Sequence, residues 1–234
     1  MTVYCVGDIH GHLVQLKQAI SRSPFQPDQD TIISLGDIVD GGYESSGVIE
    51  YLSSLPDCIL IKGNHDCSTN DTGVTDSPGW FSGWIRNGFE LPSWVCQGGY
   101  NTMASYDFDY RNVPEHHKLF IQSAYPYYVY NNMVFVHGGI KERTPLDKQD
   151  WEDMMWDRSM VYKYTRPGYT RKFPKYDRVF VGHTTAQYLR NDLKYMQPVI
   201  QNNVVAMDTG GFCNGKITVM NVDTLEYWQS NIIN

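Results

Sequence analysis

The sequence predicts an α/β protein with a mostly parallel sheet and a polar site beyond the carboxyl ends of its strands. Three observations predict it. Short β-prone runs recur six times in the 234 residues, and each ends in a corner where Gly meets Asp, His or Asn. Segments of helical periodicity separate the first three runs, giving the order strand, helix, strand, helix, strand. That order requires right-handed crossovers, and sheets built this way bind ligands outside the carboxyl ends of their strands.

The first run, VYCV (3–6), has the length and β-branched content of a buried strand and leads into GDIHG. His12 to Ser21 then reads as a helix. TIISL (31–35) leads into GDIVDGG, and 45–54 is helical with Val48, Ile49, Tyr51 and Leu52 on its apolar face. CILIK (58–62) ends in GNHD. Residues 67–112 change character: Gly, Pro, Ser and Asn punctuate a stretch with Trp80, Trp84 and Trp94, which reads as an insertion beside the site. Its aromatic rings pack the insertion onto the body or stack on a substrate. Residues 114–124 are helical, and the last three runs are MVFV before HGG, RVFV before GHT and VVAM before DTGG. Nothing in the composition forces a domain cut, so 1–234 reads as one domain carrying that insertion.

Apolar residues at 41% and charged residues at 19% fit a globular chain rather than a disordered one. With 19 Lys and Arg against 26 Asp and Glu, the net charge of −7 disfavours long polyanions, nucleic acid included, as partners. Arg166, Arg171, Lys172, Lys175 and Arg178 form the one basic cluster and read as a solvated loop. Part of the acidic excess disappears if carboxylates gather around divalent cations. The N-terminus lacks a signal pattern, and no window nears the ~18 apolar residues of a membrane span, so a soluble, cytoplasmic protein without membrane contact is expected. Five cysteines without a Cys-x-x-Cys pair suit a reducing compartment and read as core thiols.

The corners collect Asp8, His10, Asp37, Asn64, His137 and His183, with His65 and Asp40 close by. Carboxylate, imidazole and amide oxygen together suit Mn²⁺, Fe or Zn²⁺, and one bridging carboxylate can hold two cations ~3.5 to 4 Å apart. Asp37 is the expected bridge. Asp8 and His10, two apart at a bending strand end, can lean towards one cation, and Asp40 sits behind as an acid able to orient a histidine. His12, His116 and His117 read as surface or capping residues, and Asp208 as either a turn acid or a support to the site.

In this order, GDIHG, GDIVDGG, GNHD, HGG and GHT resemble the motifs of the calcineurin-like, PPP-type metallophosphoesterases. That group includes bacterial and phage serine/threonine protein phosphatases and symmetrical diadenosine tetraphosphate hydrolases. GGYNTMASY (98–106) and WDR (156–158) are weaker matches, and the likeness runs from Val3 to about Asp223. The resemblance implies the metallophosphoesterase fold, two central mixed sheets flanked by helices, with a dinuclear metal site at the strand ends. It implies Asp8, His10 and Asp37 at one metal and Asp37, Asn64, His137 and His183 at the other. Mn²⁺ is the first expectation, with Fe, Zn²⁺ or Ni²⁺ as alternatives. His65 would protonate the leaving oxygen, held by Asp40, and Arg158 would bind phosphate. The reaction implied is hydrolysis by a water bridging the metals. A phosphorylated serine or threonine is the first expected substrate. Nucleotide, dinucleotide polyphosphate or nucleic-acid-end phosphoesters are the alternative, and a phosphate-binding module without turnover is the third reading. Two positions depart from the family pattern: Gly41 stands where GDxVDRG has arginine, and Asp66 where GNHE has glutamate.

Overall fold

The computed structural model describes residues 1–67 and 80–233; the stretch 68–79 of the expected insertion lies outside the described residues. In chain order the elements are β1 (Val3–Val6), α1 (Leu13–Arg22), β2 (Thr31–Ser34), α2 (Ser45–Ser53) and β3 (Cys58–Leu60). The short helices α3 (Phe81–Asn87), α4 (Pro92–Trp94) and α5 (Tyr100–Ala104) follow, then α6 (Glu115–Gln122). Next come β4 (Tyr127–Tyr130), β5 (Met133–Val136), α7 (Trp151–Trp156), α8 (Ser159–Thr165), β6 (Arg178–Val181) and α9 (Ala186–Arg190). The chain closes with β7 (Val199–Gln201), β8 (Val204–Ala206), β9 (Thr218–Asn221) and β10 (Tyr227–Gln229).

Two mixed sheets result, ordered β10-β9-β1-β2-β3 and β4-β5-β6-β8-β7. Each is built on three parallel strands, β1, β2 and β3 in one and β5, β6 and β8 in the other, with antiparallel neighbours completing it. Side chains alternate between faces with period two, which sorts each strand between two cores. Val3, Cys5, Ile33 and Leu35 meet Met133, Phe135, Phe180 and Val205 between the sheets, where the Phe135 and Phe180 rings stack 4.8 Å apart. Tyr4, Val6 and Ile32 face the other way onto Leu16 of α1 and Val48 and Leu52 of α2. Val134, Val136, Val179 and Val181 likewise cover Met160 and Val161 of α8 and Leu189 of α9. Strands buried on both faces need continuous apolar runs, and this explains why VYCV, MVFV and RVFV show no polar alternation.

Two sequence expectations are corrected. The cysteines are not uniformly core thiols: Cys5 and Cys67 are buried, Cys58 is half-buried, and Cys96 and Cys213 are exposed. His117 is no surface residue; it is buried, with Nδ1 2.9 Å from the Tyr106 hydroxyl and Nε2 2.9 Å from Glu50 on α2. No helix among the described residues is long and apolar enough to cross a membrane.

Candidate active site

Each of the six parallel strands ends at a polar residue of one site. Asp8 and His10 follow β1, Asp37 follows β2, Asn64 and His65 follow β3, His137 follows β5, His183 follows β6 and Asp208 follows β8. The corners are tied together through main chain: the Asp37 carbonyl accepts from Ile9 at 3.0 Å and His10 at 2.9 Å, and Gly182 donates to the His137 carbonyl at 2.9 Å. His10, Asp37, Asp40 and His183 all hold positive φ, at 49°, 51°, 69° and 61°. Side chains seldom adopt this region, and its recurrence at four residues in three corners marks a surrounding structure that enforces it. Close approach is also enforced, since a Cβ on Gly63 would collide with Asp37 Oδ1 and one on Gly182 with Asp8 Oδ1.

Three imidazoles are oriented by the same device. His10 Nδ1 lies 3.1 Å from the Val39 carbonyl, His137 Nδ1 2.7 Å from the Leu35 carbonyl, and His183 Nε2 3.2 Å from the Trp156 carbonyl. A carbonyl only accepts, so each ring spends its N–H outward and turns its other nitrogen towards the site. For His137 that nitrogen meets further acceptors, Asn64 Oδ1 at 3.0 Å and Asp37 Oδ2 at 3.2 Å. His10 Nε2 lies 3.8 Å from Asp37 Oδ2. Burial holds His10 and His183 neutral, pushing them down to about 3 and about 2. At His137 burial also opposes charge, but Asp37 overrides it and pushes the ring up to about 10.

Converging acceptors without enough donors call for positive charge between them. Asp8 uses Oδ2 to accept from the His183 amide at 2.9 Å, while its buried Oδ1 has no hydrogen-bond partner among the described residues. Burial and then Asp208 push Asp8 well above the usual carboxylate range. Burial pushes Asp37 the same way, but His137 and His65 outweigh it and hold that carboxyl well below the range. Ligand-type atoms of His10, Asp37 and His65 lie within 4.8 Å of one another, as do those of Asp37, His137 and His183. Asp37 belongs to both groups. Imidazoles, buried carboxylates and an amide oxygen around a shared acid fit two divalent cations in donor type.

His65 is held differently. Its Nδ1 is 2.7 Å from Asp40 Oδ2 and its main-chain N–H donates to Asp37 Oδ1 at 2.9 Å. Asp40 is fully buried and accepts from Trp94 Nε1 at 2.9 Å and Thr102 Oγ1 at 2.7 Å, while its own amide donates back to Thr102 Oγ1 at 2.9 Å. Trp94 and Thr102 belong to the expected insertion, so that stretch supplies the support of the acid as well as packing. Trp84 and Trp94 are buried, whereas Trp80 stands edge-on to His65 at 4.5 Å.

Asp8, His10, Asp37, Asn64, His65, Arg158, His183 and Asp208 line one cavity of about 400 Å³; His137 and Asp40 do not line it and are fully buried. Trp156, Tyr162, Tyr188 and Phe212 form its outer part. Phe212 packs on His10 at 5.0 Å and closes over Gly41, whose φ is 89° and whose Cβ, if present, would sit 3.2 Å from the Phe212 ring. The spot where the resembled motif carries an arginine is thus apolar here. Sequence reasoning left Asp208 open; it is buried and accepts from the Gly210 amide at 2.9 Å, so it both makes the turn and faces the cavity. Asp66 accepts from the Ile38 and Val39 amides at 2.8 and 3.2 Å, bracing the loop after Asp37 from behind.

The symmetrical bis(5'-nucleosyl)-tetraphosphatase of Pectobacterium carotovorum is 42% identical over 67 residues, which cover 28% of this chain and 24% of that protein. The chain thus spans about a quarter of the length of the curated relatives it matches. A solved structure described as a candidate diadenosine tetraphosphatase superposes with a TM-score of 0.69 at 17% identity, over 99% of this chain and 94% of that one. A serine/threonine phosphatase from Saccharomyces cerevisiae gives 0.61 at 12% identity, over 100% and 80%. Those two likenesses show the fold. The family model described as calcineurin-like phosphoesterase matches residues 1–187, and the chain belongs to that family.

Proposed function

We propose that the protein is a hydrolase of nucleotide or dinucleoside polyphosphates, with two divalent cations held by Asp8, His10, Asp37, Asn64, His137 and His183. The observation that carries the reading is the place of Asp37 at the centre of two donor groups, beside the hydrogen-bonded pair His65 and Asp40. Mn²⁺ suits the mixed carboxylate, imidazole and amide set, and Fe, Zn²⁺ and Ni²⁺ compete for it. Bound there, the cations supply Lewis acidity, making a water acidic and offsetting charge on the phosphoryl oxygens.

The chain's own residues do the rest. Arg158, on the cavity wall, meets non-bridging oxygens of the reacting phosphoryl group. With Nδ1 fixed by Asp40, His65 keeps its other nitrogen for a proton that passes to the leaving oxygen as the bond from phosphorus to that oxygen breaks and the bond to the water oxygen forms. Trp80, Trp156 and Phe212 pack against His65, His183 and His10 and limit the access of bulk water to those rings.

Two observations favour polyphosphates over phosphoproteins. The 67-residue match is to proteins named for a symmetrical tetraphosphatase activity, whereas the likeness to a protein phosphatase is one of fold, at 12% identity. The wall at Gly41 is apolar, so a terminal phosphomonoester dianion lacks a second guanidinium, a charge-assisted contact of about 1.5–3 kcal/mol. An internal phosphoryl group of a polyphosphate carries less charge at the reacting centre and depends less on such a clamp. The test is competition between diadenosine tetraphosphate and a phosphothreonine peptide with the Mn²⁺-loaded protein. The reading expects the higher kcat/KM for the tetraphosphate, with adenosine diphosphate as product. Faster hydrolysis of the peptide would overturn it.

A further inference from the structure

The four aromatic residues at the outer cavity are not equivalent. Phe212 packs on His10, and Trp156 stands edge-on to His183 at 5.7 Å and to Trp80 at 5.7 Å, so both rings are built into the site. Tyr162 and Tyr188 are 47% and 67% exposed, and neither ring has an aromatic, cationic or side-chain hydrogen-bond partner among the described residues. Exposed rings that line a polar cavity offer flat apolar surface on which a ligand's ring can stack.

Each of these tyrosines sits one helical turn from a polar group lining the same cavity. The Tyr162 amide donates to the Arg158 carbonyl at 3.0 Å, and the Tyr188 amide to the Thr185 carbonyl at 3.0 Å. Thr185 is 7% exposed, lines the cavity and has no hydrogen-bond partner for its Oγ1 among the described residues. A buried hydroxyl without a partner is costly, and this one belongs to a residue that lines the cavity. The pattern repeats at the starts of α8 and α9: a polar residue that lines the cavity, and one turn on an exposed ring that lines it too. A turn of helix advances about 5 Å, comparable to the reach of a ribose between its 5′-phosphate and its base.

We propose that Tyr162 and Tyr188 are specificity-determining residues that clamp the nucleobase of a nucleoside polyphosphate, with Thr185 and Arg158 meeting the phosphoryl oxygens between base and reaction centre. The clamp rests on the reading of the site as a polyphosphate hydrolase. It adds which part of the substrate is recognised and by which rings. Stacking tolerates any base, because every base has a π-face, so the clamp selects for the presence of a base rather than for one base.

The experiment compares wild type, Tyr162→Ala/Tyr188→Ala and Tyr162→Phe/Tyr188→Phe, all loaded with Mn²⁺ and matched by melting temperature. One arm measures kcat and KM for diadenosine tetraphosphate and for inorganic tetraphosphate. The ratio of the two kcat/KM values is expected to fall about 10-fold or more in the double alanine variant, through KM, and to be kept by the double phenylalanine variant. The second arm measures binding of adenosine diphosphate and of inorganic diphosphate by calorimetry. Wild type is expected to hold the nucleotide at least about 10-fold more tightly, and the alanine variant to lose that margin. If wild type turns over no tetraphosphate yet shows a tyrosine-dependent margin for the nucleotide, the hydrolase reading fails and the clamp stands. If wild type binds the two diphosphates equally, or the alanine variant keeps the full margin, the clamp is overturned whatever the activity.

Discussion

Asp40 shows what a single residue can and cannot reveal in a sequence. That an acid three positions beyond Asp37 would lie behind a histidine was readable from GDIVDGG. Its other two partners were not, because Trp94 and Thr102 lie 54 and 62 positions away, and the weak GGYNTMASY match that contains Thr102 carries no sign of a contact with Asp40. Asp66 and Asp208 were similarly half-legible: their type and corner position were plain, but the amides they accept from depend on loop conformation. Two predictions follow at this scale. Thr102→Val removes the donor to Asp40 Oδ1 and one of the two acceptors of the Asp40 amide, the other being Ser45 Oγ at 3.3 Å, so the buried Oδ1 is left unpaired. It is expected to destabilise the fold by about 1–3 kcal/mol in urea unfolding and to slow turnover with metal content unchanged. His65→Asn is expected to keep both metals and to slow substrates with poor leaving groups by ~10² to 10⁴, good leaving groups less. Loss of a metal in that variant would make His65 a ligand instead, a role its closeness to His10 and Asp37 leaves room for.

Among the elements, legibility followed burial. All six strands read from the sequence are the parallel ones, whose two-sided burial writes unbroken apolar runs. The four strands that sequence reasoning missed, β4, β7, β9 and β10, all pair antiparallel. Their patterns are weak: YYVY in β4 is half-exposed, β7 and β10 are three residues long, and TVMN in β9 ends in a turn. The six-corner grammar therefore located the site before the sheets that carry it could be drawn. α3, α4 and α5 were hidden for another reason, since Gly83, Gly88, Gly98 and Gly99 interrupt any helical period. The segment must kink, because Gly98 packs against the Gly41 backbone with φ at 97°. At Gly41 itself, alanine would meet both a positive φ and the Phe212 ring. Gly41→Ala is expected to cost about 1 kcal/mol or more, a fall in melting temperature of about 2–4 °C per kcal/mol in a calorimetric scan. An unchanged melting temperature would mean that neither the positive φ nor the Phe212 contact at Gly41 holds in solution.

Across the whole molecule, two sheets bring six strand ends to one cavity and concentrate there a share of the charge that makes the chain acidic, −7 overall. Asp8, Asp37, Asp66 and Asp208 are buried within this region, a repulsive arrangement that cations relieve. Chelation is therefore expected to lower the melting temperature and Mn²⁺ to restore it, by about 2.7 kcal/mol of stability when free metal is 100 times its dissociation constant. No shift with either treatment would mean that the acids are stable without cations. The central claim is that one carboxylate, Asp37, joins two cation sites, and metal content per chain tests it most directly. After loading with Mn²⁺ and gel filtration, mass spectrometry of the wild type is expected to find about two ions per chain, and of Asp37→Asn at most about one, with the fold confirmed by circular dichroism. A folded Asp37→Asn protein that still carries two ions would contradict the account.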